Sequence, residues 1–169
     1  MLDPTMLLQA QLDRLAGRDL FAARARDRRS EFATEAAAFA YWRPRSLFRD
    51  WSDDALWRYV RSALRPAPNG AGLTLVWPAD WEAHYYQGHY EESWRELDRL
   101  DPSMPVLVIR GGTTDVFLPE AAERFRKARP TATIVDLSGF GHLFPLAAPE
   151  PTARTITDWA TARSSQPTG

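Results

Sequence analysis

The spacing of hydrophobic and polar positions divides the chain into two parts of different character. Over residues 5 to about 100 the apolar positions recur mainly at helical spacing, which predicts a mostly helical region. Thr34 and Ser52 are predicted helix N-caps, because a hydroxyl before an apolar segment can accept a free backbone N–H. One short strand, LTLVW, is predicted before Pro78. The predicted helices are TMLLQAQLDRLAG, DLFAARARDRRSEF, EAAAFAYWR, DDALWRYVRSALR, ADWEAHYYQG and YEESWRELDRLD.

From residue 104 the pattern changes to short apolar runs that alternate with helical segments. MPVLVIR is almost continuously apolar, as expected for a strand covered on both faces, and TATIVDL is a second strand rich in β-branched residues. EAAERFRKARP and EPTARTITDWATAR are predicted helices. A strand–helix–strand–helix order predicts two parallel strands. We therefore expect a helical region over 1–103, a β-α-β-α unit over 104–163 and a tail over 164–169.

Composition narrows the possible classes of function. Apolar residues make up 44% of the chain and charged residues 25%, with a net charge of −1. These values are typical of a globular rather than a disordered chain and give no basic bias towards nucleic acid or anionic lipid. The absence of cysteine excludes disulfides and thiolate catalysis, and three histidines leave little room for a histidine-rich metal site. No apolar run approaches the length of a membrane span and no signal-peptide pattern is present, so we expect a cytoplasmic protein without cofactors.

Candidate chemistry lies in the two loops that follow the predicted parallel strands. Asp115 comes six residues after Ile109, and His142 comes five residues after Leu137. Parallel neighbours end at the same edge of a sheet, so we expect the carboxylate and the imidazole to meet by a hydrogen bond. In such a pair the acid holds the imidazole in one orientation and stabilises its protonated form. Asp136, at the end of the second strand, is a rival acid.

These loops also carry a resemblance to a known family. PVLVIRGGTTDVFLPE, followed by GFGHLFPLAAPE, resembles the C-terminal end of the α/β-hydrolase fold, where an acid loop precedes a Gly-His loop. The helical region before it is similar to the cap that many members insert between core strands, and MLDP resembles the end of the strand preceding that cap. The resemblance implies a hydrolase of small apolar esters or a related bond, with His142 as the base and Asp115 as the acid.

The chain departs from this family in one motif. The family's nucleophile lies on a Gly-x-Ser-x-Gly turn, and no such motif occurs in the 169 residues. We therefore expect a chain that begins after that turn, is a truncated or split form, and is inactive alone. A separate N-terminal hydrolase half, or self-association, would cover its exposed strands. The alternative is a non-catalytic module of the same fold that binds an apolar ligand or a partner chain.

Aromatic side chains are unusually numerous, with seven tryptophans. They have two interpretations: the walls of an apolar pocket for a substrate, or packing within the predicted cap. On the first of these interpretations, the candidate substrate-binding residues are Trp42, Trp57, Trp77, Trp81, Tyr85, Phe117 and Leu143.

The Arg-rich segment RARDRR also has two interpretations, a phosphate site or a solvated helix face. His84 and His89 are expected to pack or to face solvent.

Overall fold

The computed structural model describes residues 1–14, 18–68, 70–86 and 92–165, and its contacts divide the chain into two compact units. The first unit contains residues 1–11 and the described residues from 92 onward, and the second contains the described residues between 12 and 86. This division differs from the predicted boundary at residue 103. A short helix, α1 (Gln9–Arg14), spans the boundary between the two units in the sequence. No helix in the described ranges has the length and apolar character needed to cross a membrane.

The second unit combines helices with a small antiparallel sheet. Both predicted N-caps are confirmed: the hydroxyl of Thr34 accepts from the N–H of Ala37 at 3.1 Å, and that of Ser52 accepts from Ala55 at 3.1 Å. Its helices are α2 (Arg18–Arg26), α3 (Glu35–Trp42), α4 (Asp53–Ala63) and α5 (Ala79–Tyr86), and its strands are β1 (Glu31–Phe32), β2 (Leu64–Pro66) and β3 (Leu73–Leu75).

Two of the predicted helices in this unit extend too far. The helix predicted to end near Phe32 ends at Arg26, and the one predicted to end at Arg65 ends at Ala63. The residues beyond them form β1 and β2, which pair antiparallel with β3 in the order β1-β3-β2. Pairing with β3 therefore outweighs the local helical pattern, as tertiary context often does.

Aromatic packing forms much of the core of the second unit. The ring of Tyr59 lies 5.1 Å from that of Trp42, 5.5 Å from Phe48 and 5.6 Å from Trp51, measured between centroids. Helices α2 and α5 pack through small residues, since Ala22, Ala25 and Ala83 form a separate buried cluster. Packing within the unit thus accounts for many of the aromatic residues noted in the sequence.

The first unit is built around a parallel pair of strands, as predicted. Strand β4 (Leu107–Gly111) pairs with β5 (Thr133–Leu137), with Leu107 opposite Thr133 and Gly111 opposite Leu137. Every residue of β4 is buried, which agrees with a strand covered on both faces. The helices of this unit are α6 (Glu92–Arg99), α7 (Pro119–Ala128), α8 (Phe144–Ala147) and α9 (Pro149–Ser164). Helix α8 lies within the predicted loop after β5.

The first three residues extend the ladder on the other side of β4. The N–H of Ile109 donates to the carbonyl of Met1 at 3.0 Å, and the N–H of Asp3 donates to the carbonyl of Ile109 at 2.7 Å. Leu2 and Ile109 form a parallel bridge. This pairing places residue 3 at the same edge of the sheet as the ends of β4 and β5.

Candidate active site

The loops that follow β4 and β5 meet at the carboxyl edge of the sheet. The N–H of Gly112 donates to the carbonyl of Leu137 at 2.8 Å, and the N–H of Thr113 donates to that of Phe140 at 3.0 Å. These bonds confirm that the two loops leave the same edge, which is where ligands bind in open parallel sheets.

Glycine is needed where the two loops touch. A Cβ atom on Gly111 would lie 2.5 Å from the backbone oxygen of Gly141, closer than real contacts allow. Gly139 has a φ of +82°, a conformation that favours glycine. The glycine pattern of both loops therefore permits the close backbone approach that brings His142 to this edge.

His142 pairs with an acid that precedes both loops in the sequence. Its Nδ1 atom lies 2.9 Å from Oδ2 of Asp3. The Asp3 side chain is fully buried, whereas that of His142 is 40% exposed. The same carboxylate accepts hydrogen bonds from the N–H of Gly111 at 3.0 Å and from the hydroxyl of Thr114 at 2.5 Å. Asp3 also has a φ of +40°, which is unusual for a residue other than glycine.

The predicted partner of His142 lies elsewhere. Asp115 is exposed, and within the described ranges its carboxylate makes no hydrogen bond or ion pair. Only its backbone is engaged, since its carbonyl accepts from Nε2 of Gln11 at 2.9 Å. The hydrogen bond expected between Asp115 and His142 is thus replaced by one in which the carboxylate of Asp3 accepts from His142, because the first residues join the ladder beside β4. A catalytic role for Asp115 stays a prediction.

The rival acid is paired with a cation. Oδ1 of Asp136 lies 3.4 Å from Nε of Arg110, whose side chain is almost fully buried. A second bond from Arg110 goes to the carbonyl of Gly111 at 2.9 Å. Asp136 is therefore engaged by its neighbour opposite in the ladder rather than by His142.

The Asp3–His142 arrangement can support acid–base chemistry. A buried carboxylate that accepts from Nδ1–H leaves Nε2 of the imidazole free to take a proton from a nearby group. The bonds from Gly111 and Thr114 hold the carboxylate in place, so the ring has one preferred orientation. Asp3 was not predicted as the partner of His142, and the signal that points to it is the resemblance of MLDP to the end of a strand.

The candidate substrate-binding residues of the first unit have different environments. Phe117 is fully buried in the core, where its ring lies 6.1 Å from Phe125 in an edge-on arrangement. Its predicted role in a pocket is therefore replaced by core packing. Leu143 is half-buried and directly precedes α8, next to His142 in the chain.

The candidates in the second unit do not form one surface. Trp42 is buried in the aromatic core, and Trp57 is stacked on Phe39 with centroids 4.4 Å apart. Trp81 is exposed. Trp77 and Tyr85 line a cavity of about 460 Å³ within this unit. The structure thus brings together two of the five residues proposed there. His84 is exposed on α5, and His89 lies outside the described residues.

No group of three or more potential metal ligands comes together in the part of the chain that the structure describes.

Comparison with solved structures places this geometry in a known fold. An E-2-(acetamidomethylene)succinate hydrolase matches with a TM-score of 0.70 and 21% identity, over 95% of this chain and 56% of its own. An esterase of Mycobacterium tuberculosis matches with a TM-score of 0.67 and 17% identity, over 93% of this chain and 52% of its own. A peroxisomal α/β-hydrolase of Saccharomyces cerevisiae matches with a TM-score of 0.70 and 14% identity, over 89% of this chain and 41% of its own.

The chain has part of the α/β-hydrolase fold. It spans about half the length of these solved structures. No family model matches it, and no curated protein matches it by sequence. Within this α/β-hydrolase fold, the parallel pair β4–β5 and the loops that carry Asp115 and His142 agree with the resemblance found in the sequence.

Proposed function

We propose that the chain is part of an α/β-hydrolase family enzyme that hydrolyses an ester, or a related acyl bond, in a small apolar molecule. His142 is the general base, and Asp3 is the acid that orients it. The observation that carries this proposal is the 2.9 Å contact between His142 Nδ1 and the buried Asp3 carboxylate, at the carboxyl edge of a parallel sheet. The proposal is supported by the hydrolase fold and by the partial exposure of the imidazole.

The nucleophile in this proposal comes from a segment other than these 169 residues. None of the serines stands in a Gly-x-Ser-x-Gly motif. A hydroxyl placed beside Nε2 of His142 would lose its proton to the imidazole as it attacks the acyl carbon. The partner in this proposal is thus an N-terminal hydrolase segment, and the substrate is an uncharged acyl compound. No cofactor takes part in that chemistry.

Turnover of 4-nitrophenyl butyrate provides the test. The 169-residue chain is assayed alone and then with a segment that carries the motif, encoded directly upstream of residue 1 in either the same or a shifted reading frame. We expect no turnover above background alone and measurable turnover with the segment, lost in His142→Ala. Turnover by the chain alone that survives in His142→Ala would contradict the assigned base. A chain that stays inactive with every such segment favours the non-catalytic binding module.

The acid is tested in the reconstituted enzyme with matched variants. Asp3→Asn keeps the side-chain shape but offers an amide to the ring nitrogen, so kcat is expected to fall on the order of 10³-fold or more. Asp115→Asn is the control and is expected to keep kcat within about threefold, since exposed substitutions have small effects. The reverse ranking would return the acid role to Asp115 and leave Asp3 a structural residue.

A further inference from the structure

The second unit contains a cavity that the proposed reaction does not use. Its volume of about 460 Å³ lies within the range of small-molecule sites. All of its lining residues belong to the second unit, so it shares no residue with the Asp3–His142 pair of the first unit. Aromatic rings form much of its wall, because Tyr59, Trp77, Tyr85 and Tyr86 all line it.

The two charged side chains in this cavity form an ion pair with each other, and Nε of Arg28 is buried without a hydrogen-bond partner among the described residues. Arg28 forms an ion pair with Glu82, and both side chains are less than one-third exposed. A second bond from Arg28 goes to the backbone carbonyl of Trp77 at 2.8 Å, and the hydroxyl of Tyr86 donates to Glu82 Oε1 at 3.3 Å. A charged ligand would have to separate this pair and leave one partner without compensation, which is costly. The cavity therefore favours an uncharged occupant.

One polar group in the cavity wall is available to a ligand. The ring of Tyr59 is held by its aromatic neighbours, and within the described ranges no group exchanges a hydrogen bond with its hydroxyl. Burial raises the pKa of Tyr59, with Arg28 lowering it and Glu82 raising it, so the phenol stays protonated at neutral pH. It can donate one hydrogen bond and accept another.

We propose that this cavity binds an uncharged aromatic molecule with a single hydrogen-bonding group, of the class of benzylic or aryl alcohols. The ring of the ligand packs against Trp77 and Tyr85, and its oxygen pairs with the Tyr59 hydroxyl. Both Trp77 and Tyr85 are 56% exposed, so a ligand that packs on them removes apolar surface from water. The inference uses no residue of the proposed catalytic pair and stands apart from the hydrolase proposal.

The test uses three probes with the same ring, observed by ¹⁹F NMR with the full chain. We expect 4-fluorobenzyl alcohol to bind at least about tenfold more tightly than 4-fluorobenzoate or 4-fluorobenzylammonium. Each charged probe would have to compete with one partner of the Arg28–Glu82 ion pair for the other partner. Absence of binding by the alcohol at millimolar concentration, or equal binding of all three probes, would overturn the proposal.

Two exposed tryptophans provide matched variants for the same assay. Trp77 lines the cavity, whereas Trp81, on the same helix–loop segment and 66% exposed, does not. Trp77→Ala is expected to weaken the alcohol about fivefold or more, since a stacking wall is lost, and Trp81→Ala to leave it unchanged. The bond from Arg28 survives in Trp77→Ala because it uses the backbone carbonyl. Equal loss in both variants would refute the site.

Tyr59→Phe tests the polar contact separately. Removal of the hydroxyl is expected to weaken the alcohol about threefold to tenfold, the effect of one neutral hydrogen bond, while fluorobenzene binding stays the same. Circular dichroism checks that each variant is folded. If Tyr59→Phe does not fold, the tryptophan pair decides the proposal alone.

Discussion

The imidazole of His142 and the carboxylate of Asp3 lie 2.9 Å apart, although the two residues are 139 positions apart in the sequence. Three groups converge on the one buried carboxylate: the His142 ring, the Thr114 hydroxyl and the Gly111 N–H. Through these contacts, Asp3 connects the first residues of the chain to the end of β4 and to the loops that follow β4 and β5. Its removal would affect stability as well as any chemistry at His142.

Replacement of Asp3 by alanine is expected to destabilise the protein by about 2–4 kcal/mol, because buried donors then lose their acceptor. The measurement is urea-induced unfolding followed by circular dichroism at pH 7. Asp115→Ala is the matched control and is expected to change the unfolding free energy by less than about 0.5 kcal/mol, as exposed positions usually do. Similar losses in both variants would contradict the observed pairing.

A methyl group at residue 111 is predicted to be costly. The Cβ of Gly111→Ala would meet the backbone oxygen of Gly141 at 2.5 Å, and the loops must separate to admit it. We expect a loss of about 1–3 kcal/mol, the usual range for overpacking. Gly141→Ala offers a nearby comparison, since a Cβ there would meet only Thr113 Oγ1, at an ordinary 3.8 Å. Thermal unfolding of both variants decides the point, and a larger loss in Gly141→Ala would show that the loops pack differently.

The contributions of Arg28 and Glu82 to stability are predicted to depend on each other, because the two side chains form an ion pair in the cavity wall. Glu82→Gln leaves the guanidinium of Arg28 partly buried without its counter-charge, and we expect a loss of about 1–3 kcal/mol. The double variant Arg28→Met/Glu82→Gln should lose less than the sum of the single variants, because neither charge then remains unpaired. A double-mutant cycle in urea measures this coupling. Strict additivity would mean that the two side chains do not interact in solution.

Tyr59 and Tyr86 are expected to control stability in alkali. Burial is the largest cause that raises the pKa of each above the ordinary 10.0, and for Tyr86 the charge of Glu82 adds to it. A group whose pKa is raised in the folded state contributes its full stabilisation at pH values below its pKa in the unfolded state. This contribution is lost as the pH rises through its pKa in the folded state. The unfolding free energy should therefore decline above about pH 10.

Absorbance at 295 nm against pH measures this ionisation directly. Part of the tyrosinate signal should develop later than that of exposed tyrosines, and the delayed fraction should shrink in Tyr59→Phe and in Tyr86→Phe. A single transition at the ordinary tyrosine pKa would contradict the predicted burial of both phenols.

The parallel core could be predicted because its signals are local. The continuous apolar run of β4 and the β-branched run of β5 are each legible within a few residues, and the helix between them requires a parallel pair. The glycines around residues 111 and 139 likewise indicated two loops that approach closely. From these features, the sequence located His142 at the correct edge of the sheet.

The parts that were missed depend on distant partners. Strands β1 and β2 have only two and three residues, and they exist because both pair with β3. Asp3 became the partner of His142 because the first residues add to the far side of β4, a relationship that spans most of the chain. Local periodicity contains no information about either pairing. The exposed position of Asp115 could not be read from its motif for the same reason.

The route of the chain through the first unit has a consequence for folding. Residues 1–11 leave this unit, and the chain returns to it only after the whole second unit. Closing so long a loop costs entropy, although each doubling of length adds only about 0.6 kcal/mol. The Asp3–His142 contact forms only when that loop has closed. The imidazole of His142 is therefore a natural probe of folding, whose NMR signal would report when the first residues have paired with β4 and Asp3 has reached the ring.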